Sequence, residues 1–85
     1  MSADAEARIS HLHSIEPELV NALCDRALAL DDSRHVLLEV RGFRESRTPW
    51  DCRRLAKALA IEHDDEPLTL ELFNLALPAS SRTRH

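Results

Sequence analysis

His35-Val36-Leu37-Leu38-Glu39-Val40-Arg41-Gly42-Phe43 is where the choice of fold class is made. At a period of two, Val36, Leu38 and Val40 form one face of a strand that ends at Gly42. At a period of 3.6, Val36, Leu37, Val40 and Phe43 form one stripe of a helix stopped near Gly42. The strand reading needs a partner, and Leu68–Leu77 offers one. There Leu68, Leu70 and Leu72 alternate until Phe73 breaks the pattern. Read as a helix, the same segment is apolar almost all round, which suits a central element.

Composition favours the helical reading. The chain of 85 residues holds 14 Leu and 11 Ala, but only nine Val, Ile and Thr together. Leu and Ala lose little freedom in a helix, whereas strands favour branched and aromatic side chains. There is no Tyr and one glycine, so the Gly turns that close tight hairpins are missing. The expectation is a compact all-α bundle of four or five short helices. Its alternative is a small α+β domain with strands near 35–42 and 68–75. The length suits one domain, placed at 1–78 with a polar tail at 79–85.

Neighbouring segments carry clearer signals. Thr48-Pro49-Trp50-Asp51 places a Thr cap, a Pro at the first helical position and an acid in the first turn. That helix should run to about His63, burying Cys52, Leu55, Ala56 and Leu59. Upstream, Glu16-Pro17-Glu18 starts a helix reaching Leu30, with Leu19, Val20, Leu23, Cys24, Ala27 and Leu30 on one face. Asp31-Asp32-Ser33 reads as a cap for the next element, and His63-Asp64-Asp65-Glu66 as a cap for the last. Residues 2–13 read as a short further helix. The expected core is Leu19, Leu23, Leu37, Val40, Leu55, Leu59, Leu72 and Leu75.

The net charge of −4 conceals a layout. Residues 1–32 carry −5, residues 33–57 carry +4, residues 58–78 carry −5, and the tail carries +2. The basic centre is Arg34, Arg41, Arg44, Arg47, Arg53, Arg54 and Lys57. On the helix from Pro49, Arg53, Arg54 and Lys57 fall opposite the leucine stripe, together with Trp50 and Ile61. Tryptophan among arginines is the usual make-up of an interface hot spot. The candidate binding residues are therefore Trp50, Arg53, Arg54, Lys57, Arg47 and Arg44. The plainer reading pairs these bases with the chain's own acidic flanks.

Other chemistry is poorly provided for. One glycine cannot make a phosphate loop or a dinucleotide fingerprint. His11-Leu12-His13 is the one close histidine pair, and on a helix its members point apart. Zinc would need Cys24, Cys52, His35 or His63, all singly placed, so no metal site and no cofactor are expected. Cys24 and Cys52 sit on apolar stripes and read as buried thiols. The length also leaves little room for a pocket of ~300 Å³ or more. The chain reads as a non-enzyme.

Arg53-Arg54-Leu55-Ala56-Lys57-Ala58-Leu59-Ala60-Ile61 resembles the first helix of a helix-turn-helix unit. That resemblance implies a basic recognition helix next. The chain instead continues with Glu62-His63-Asp64-Asp65-Glu66 and then leucines, a segment that phosphates repel. The Trp50…Arg54-Leu55-Ala56…Leu59 spacing is similar to the death-domain superfamily of helical interaction modules. Too few residues come after it to complete that bundle.

The expected function is a small non-catalytic protein-binding module: an adaptor, inhibitor or subunit acting on an acidic or mixed protein surface. The alternatives are a nucleic-acid-binding regulator using the arginines of 34–57 and a homodimeric structural protein. No secretory leader and no apolar run of ~20 residues is read in the sequence. The expected setting is therefore cytoplasmic, away from membranes.

Overall fold

The computed structural model describes residues 14–77, and within them every regular element is an α-helix. Helix α1 spans Pro17–Leu30, α2 Arg34–Ser46, α3 Pro49–His63 and α4 Pro67–Ala76. The helix expected at 2–13 and the tail at 79–85 lie outside the described residues. The strands weighed at 35–42 and 68–75 are both helices, α2 and α4, so the all-α reading holds.

Each helix packs on the next in sequence, most extensively α3 with α4, and α1 also meets α4. The core lies between them. Val20, Leu23, Cys24 and Ala27 come from α1, and Val36, Val40 and Phe43 from α2. Helix α3 supplies Cys52, Leu55, Ala56, Ala58 and Leu59, and α4 supplies Leu68, Thr69 and Leu72. Phe43 is the largest fully buried side chain and fills the space between helices that otherwise bring mostly Leu, Val and Ala.

Two expected core residues are not in it. Leu19 and Leu37 are each 41% exposed. Adjacent helical residues lie 100° apart, and at these two places the neighbouring valine, not the leucine, faces the other helices. Val20 and Val36 take those places, at 1% and 0% exposure. Leu75 is partly buried against the core rather than within it. Nor is α4 a central element. It packs chiefly on α3, and its outer side leaves Leu70 and Leu77 exposed.

Gly42 does not stop α2. The helix runs through it to Ser46, and Gly42 keeps a negative φ. The left-handed position that ends the helix belongs to Arg47, at φ 53° and ψ 31°, whose N–H donates to Phe43 O at 2.8 Å. Pro49 then forces Thr48 into extended backbone and fixes the direction of α3. Thr48 Oγ1 accepts from Asp51 N–H at 3.2 Å, and Pro49 occupies the first turn, as the sequence predicts. Ser46 Oγ completes this turn through Thr48 Oγ1, at 3.1 Å, and the Asp51 carboxylate.

The acidic segments do not cap as expected. Neither Ser33 nor Glu66 makes a side-chain cap bond to the helix it precedes. Asp31 instead turns back, accepting from Ser33 N–H at Oδ1 over 2.9 Å. The end of α3 is held by Thr69, whose buried hydroxyl donates to His63 O at 2.7 Å.

Candidate functional site: the outer face of α3

The stripe that buries Cys52, Leu55, Ala56 and Leu59 leaves the other side of α3 to solvent. On it stand Trp50, Arg53, Arg54, Lys57 and Ile61, all exposed. Trp50 is 66% exposed and Ile61 70%, so no loop among the described residues covers either. The first four of these side chains line one groove of about 220 Å³. Beside it, Arg54, Lys57 and Ile61 share a depression of about 370 Å³ with His35 and Glu39 of α2. On the other side, Arg53 joins Phe73 and Leu77 around a depression of about 480 Å³. The three hollows share lining residues and form one continuous relief along α3. Two of the three, at about 370 and 480 Å³, are larger than the chain length suggests. They reach that size because long side chains stand up from the surface, not because the core encloses a cavity.

The six candidate binding residues do not all gather here. Arg54 is held by α2, with Nε 3.1 Å and Nη2 3.4 Å from the two Glu39 carboxylate oxygens. Arg44 lies on the other flank of α2 and donates to Asp25 Oδ1 of α1 at 2.9 Å. Arg47 is the half-buried cap residue of α2, and its carbonyl accepts from Ile15 N–H at 2.7 Å. Trp50, Arg53, Arg54 and Lys57 are therefore together, and Arg44 and Arg47 are elsewhere. Arg53 and Lys57 have no carboxylate partner among the described residues. Ile61 and Phe73 extend the apolar part of this face.

The thiols play no part in it. Cys24 and Cys52 are free and fully buried, each facing a backbone carbonyl, of Val40 and Leu72 respectively. Burial, and then the neighbouring Cys24, pushes the Cys52 thiol up to about 12. Burial also raises Cys24, against the opposing pull of the Arg44 guanidinium. Thiols kept protonated near neutral pH are weak nucleophiles and weak metal ligands.

A second constellation escapes the sequence reading. The C-terminal ends of α1 and α3 meet at Asp31 and His63, with Oδ2 and Nε2 3.2 Å apart. Glu62 stands beside them, and one donor atom from each of the three residues lies within 4.8 Å of the others. Asp31 and His63 are 32 positions apart in the chain. No spacing rule links them; only the packing of the helices brings them together.

Comparison with protein-family models, curated proteins and solved structures finds no match in any of the three.

Proposed function

We propose that this chain is a small non-catalytic protein-binding module, an adaptor, inhibitor or subunit, and that it binds through the outer face of α3. The observation that carries the reading is an exposed Trp50 beside two cations, Arg53 and Lys57, that lack a carboxylate among the described residues. An indole left in water forgoes burial that would stabilise it by roughly 1.5–3 kcal/mol or more. A partner surface covering Trp50, Ile61 and Phe73 recovers that term, and carboxylates on it would pair Arg53 and Lys57. The favoured partner is thus an apolar patch with an acidic rim.

The arrangement favours a protein over nucleic acid. Arg44 and Arg54 are already paired with Asp25 and Glu39, and Arg47 serves as a cap. What remains on the face is two cations among apolar groups, too few for the phosphate contacts that carry nucleic-acid affinity. No helix among the described residues is long and apolar enough to cross a membrane. A cytoplasmic protein target is the corresponding setting.

The test uses the full chain as bait in lysate of its native host, beside a Trp50→Ala/Arg53→Glu double variant. Both positions are exposed, so the variant should keep the helical circular dichroism of the parent. A protein retained by the parent and lost by the folded variant is the expected result. Equal retention by both would place the binding surface elsewhere. Capture of nucleic acid, with affinity falling steeply as salt rises, would transfer the face to the other reading.

A further inference from the structure

Asp31 Oδ2 is buried and has no hydrogen-bond partner, and the Asp31 side chain is only 9% exposed. A buried carboxylate oxygen without a donor is costly unless a cation meets it. Its other oxygen is already used by Ser33 N–H, which holds the carboxylate in place. The open oxygen points at His63 Nε2, 3.2 Å away. Two donors held about 2.0–2.1 Å from a tetrahedral ion stand roughly 3.3 Å apart, so this separation already suits one.

The surroundings also favour positive charge. Asp31 is the residue that closes α1, and His63 is the last residue of α3. Both helices present the negative ends of their dipoles here. Exposed Glu62 has the reach to bring a second carboxylate, its donor atom lying within 4.8 Å of the other two. We propose that Asp31, Glu62 and His63 form a binding site for a divalent transition-metal cation of the zinc type, one imidazole and two carboxylates with a further position left to water. The imidazole selects against magnesium and calcium, which take oxygen ligands. The ion would clamp the α1–α2 junction to the end of α3, two helices not otherwise packed closely together. It leaves the Trp50 face exposed, so the proposal stands or falls apart from the binding function.

The experiment titrates Co²⁺, and separately Zn²⁺, into the full chain. His11→Ala/His13→Ala is the background, so that the N-terminal histidine pair cannot contribute. Saturation at one equivalent with growth of the visible Co²⁺ bands is expected. Zn²⁺ at 100-fold its Kd should raise Tm by roughly 10 °C or more. Asp31→Asn keeps the acceptor for Ser33 N–H, and it should weaken binding tenfold or more. Should that variant fail to fold, Glu62→Gln on the exposed third ligand should show the same loss. Millimolar Mg²⁺ should not displace the ion. Unchanged affinity in folded Asp31→Asn, or in Glu62→Gln, would overturn the site, as would binding lost with His11 and His13.

Discussion

The two ends of α3 are built on opposite plans. At its start, the side-chain oxygens of the turn find partners within a few residues: Ser46, Thr48 and Asp51 bond one another and the backbone. At its finish, one contact is nearly as local and the other comes from far along the chain. Thr69 reaches back from α4, and Asp31 arrives from the end of α1 with one oxygen lacking a hydrogen bond. A closed local network does nothing except hold the turn. An end assembled from distant elements, with a charge unsatisfied, has something left over for a ligand. The contrast separates a structural terminus from a candidate site without reference to conservation.

Removing one threonine from each end measures the difference. Thr48→Ala deletes the acceptor for Asp51 N–H and breaks the link to Ser46, in a turn where nothing else is placed to replace it. The expected cost is about 1–2 kcal/mol. Thr69→Val deletes the donor to His63 O, but that carbonyl still accepts from Glu66 N–H at 3.2 Å. A valine of similar shape also keeps the buried volume filled. The expected cost is under about 1 kcal/mol. Urea melts with a common m-value should order the variants in that sequence. The reverse order would mean that the bond from α4 to His63 O, and not the cap at Thr48, anchors α3.

The same contrast sets what could be read in advance. Thr48, Pro49 and Asp51 lie within four residues, so capping rules found the start of α3 and the stripe of Cys52, Leu55, Ala56 and Leu59 behind it. That stripe also placed Trp50, Arg53, Arg54 and Lys57 on one exposed face, because opposite sides of a helix are set by its period alone. Three things depended on other helices. The pairing of Arg54 with Glu39 and of Arg44 with Asp25 needs the packing of α2 against α3 and α1. The displacement of Leu19 and Leu37 needs to know which of two adjacent apolar residues meets a neighbour. Asp31 and His63 come together only when α1 and α3 end at the same place. The acids of residues 31–33 and 63–66 looked like caps because a local rule was the only one available to them.

The turn ahead of α3 contains a mismatch that gives the next test. The lone glycine lies inside α2, where a Cβ would meet nothing within 4 Å, while Arg47 holds the left-handed position that suits glycine. Gly42→Ala should stabilise the protein by about 0.5–1 kcal/mol, since alanine loses less freedom in a helix. Arg47→Gly should relieve the left-handed strain by up to about 1 kcal/mol, offset in part by glycine's greater freedom when unfolded. Midpoints of thermal unfolding a few degrees above the parent would show both. A fall in the midpoint for Arg47→Gly would mean that its half-buried side chain contributes more than the strain costs. Since Arg47 is away from the Trp50 face, partner capture should survive this change.

The smallest effect separates charge from shape at the far side of the bundle, where α4 meets α1. Arg26 Nη1 and Nη2 each lie 3.0 Å from a Glu71 carboxylate oxygen, a two-point pair that remains about half exposed. The hydrogen bonds from Arg26 hold the Glu71 carboxyl below its ordinary value. An acid with a depressed value in the folded state binds its proton more readily when unfolded. Its contribution is therefore complete above the ordinary glutamate value of about 4.3. It shrinks as pH falls through that value, and it is gone below the folded one. Solvent screening keeps the contribution of an exposed pair small. Glu71→Gln should accordingly cost little at pH 7 and nothing near pH 2, with the two urea midpoints converging between. High salt at pH 7 should bring them together as well. Curves that stay parallel across this range would mean that Glu71 holds α4 by packing of its stem, with the charge incidental. By the same logic Thr48→Ala, which alters no charge, should show a cost nearly independent of pH.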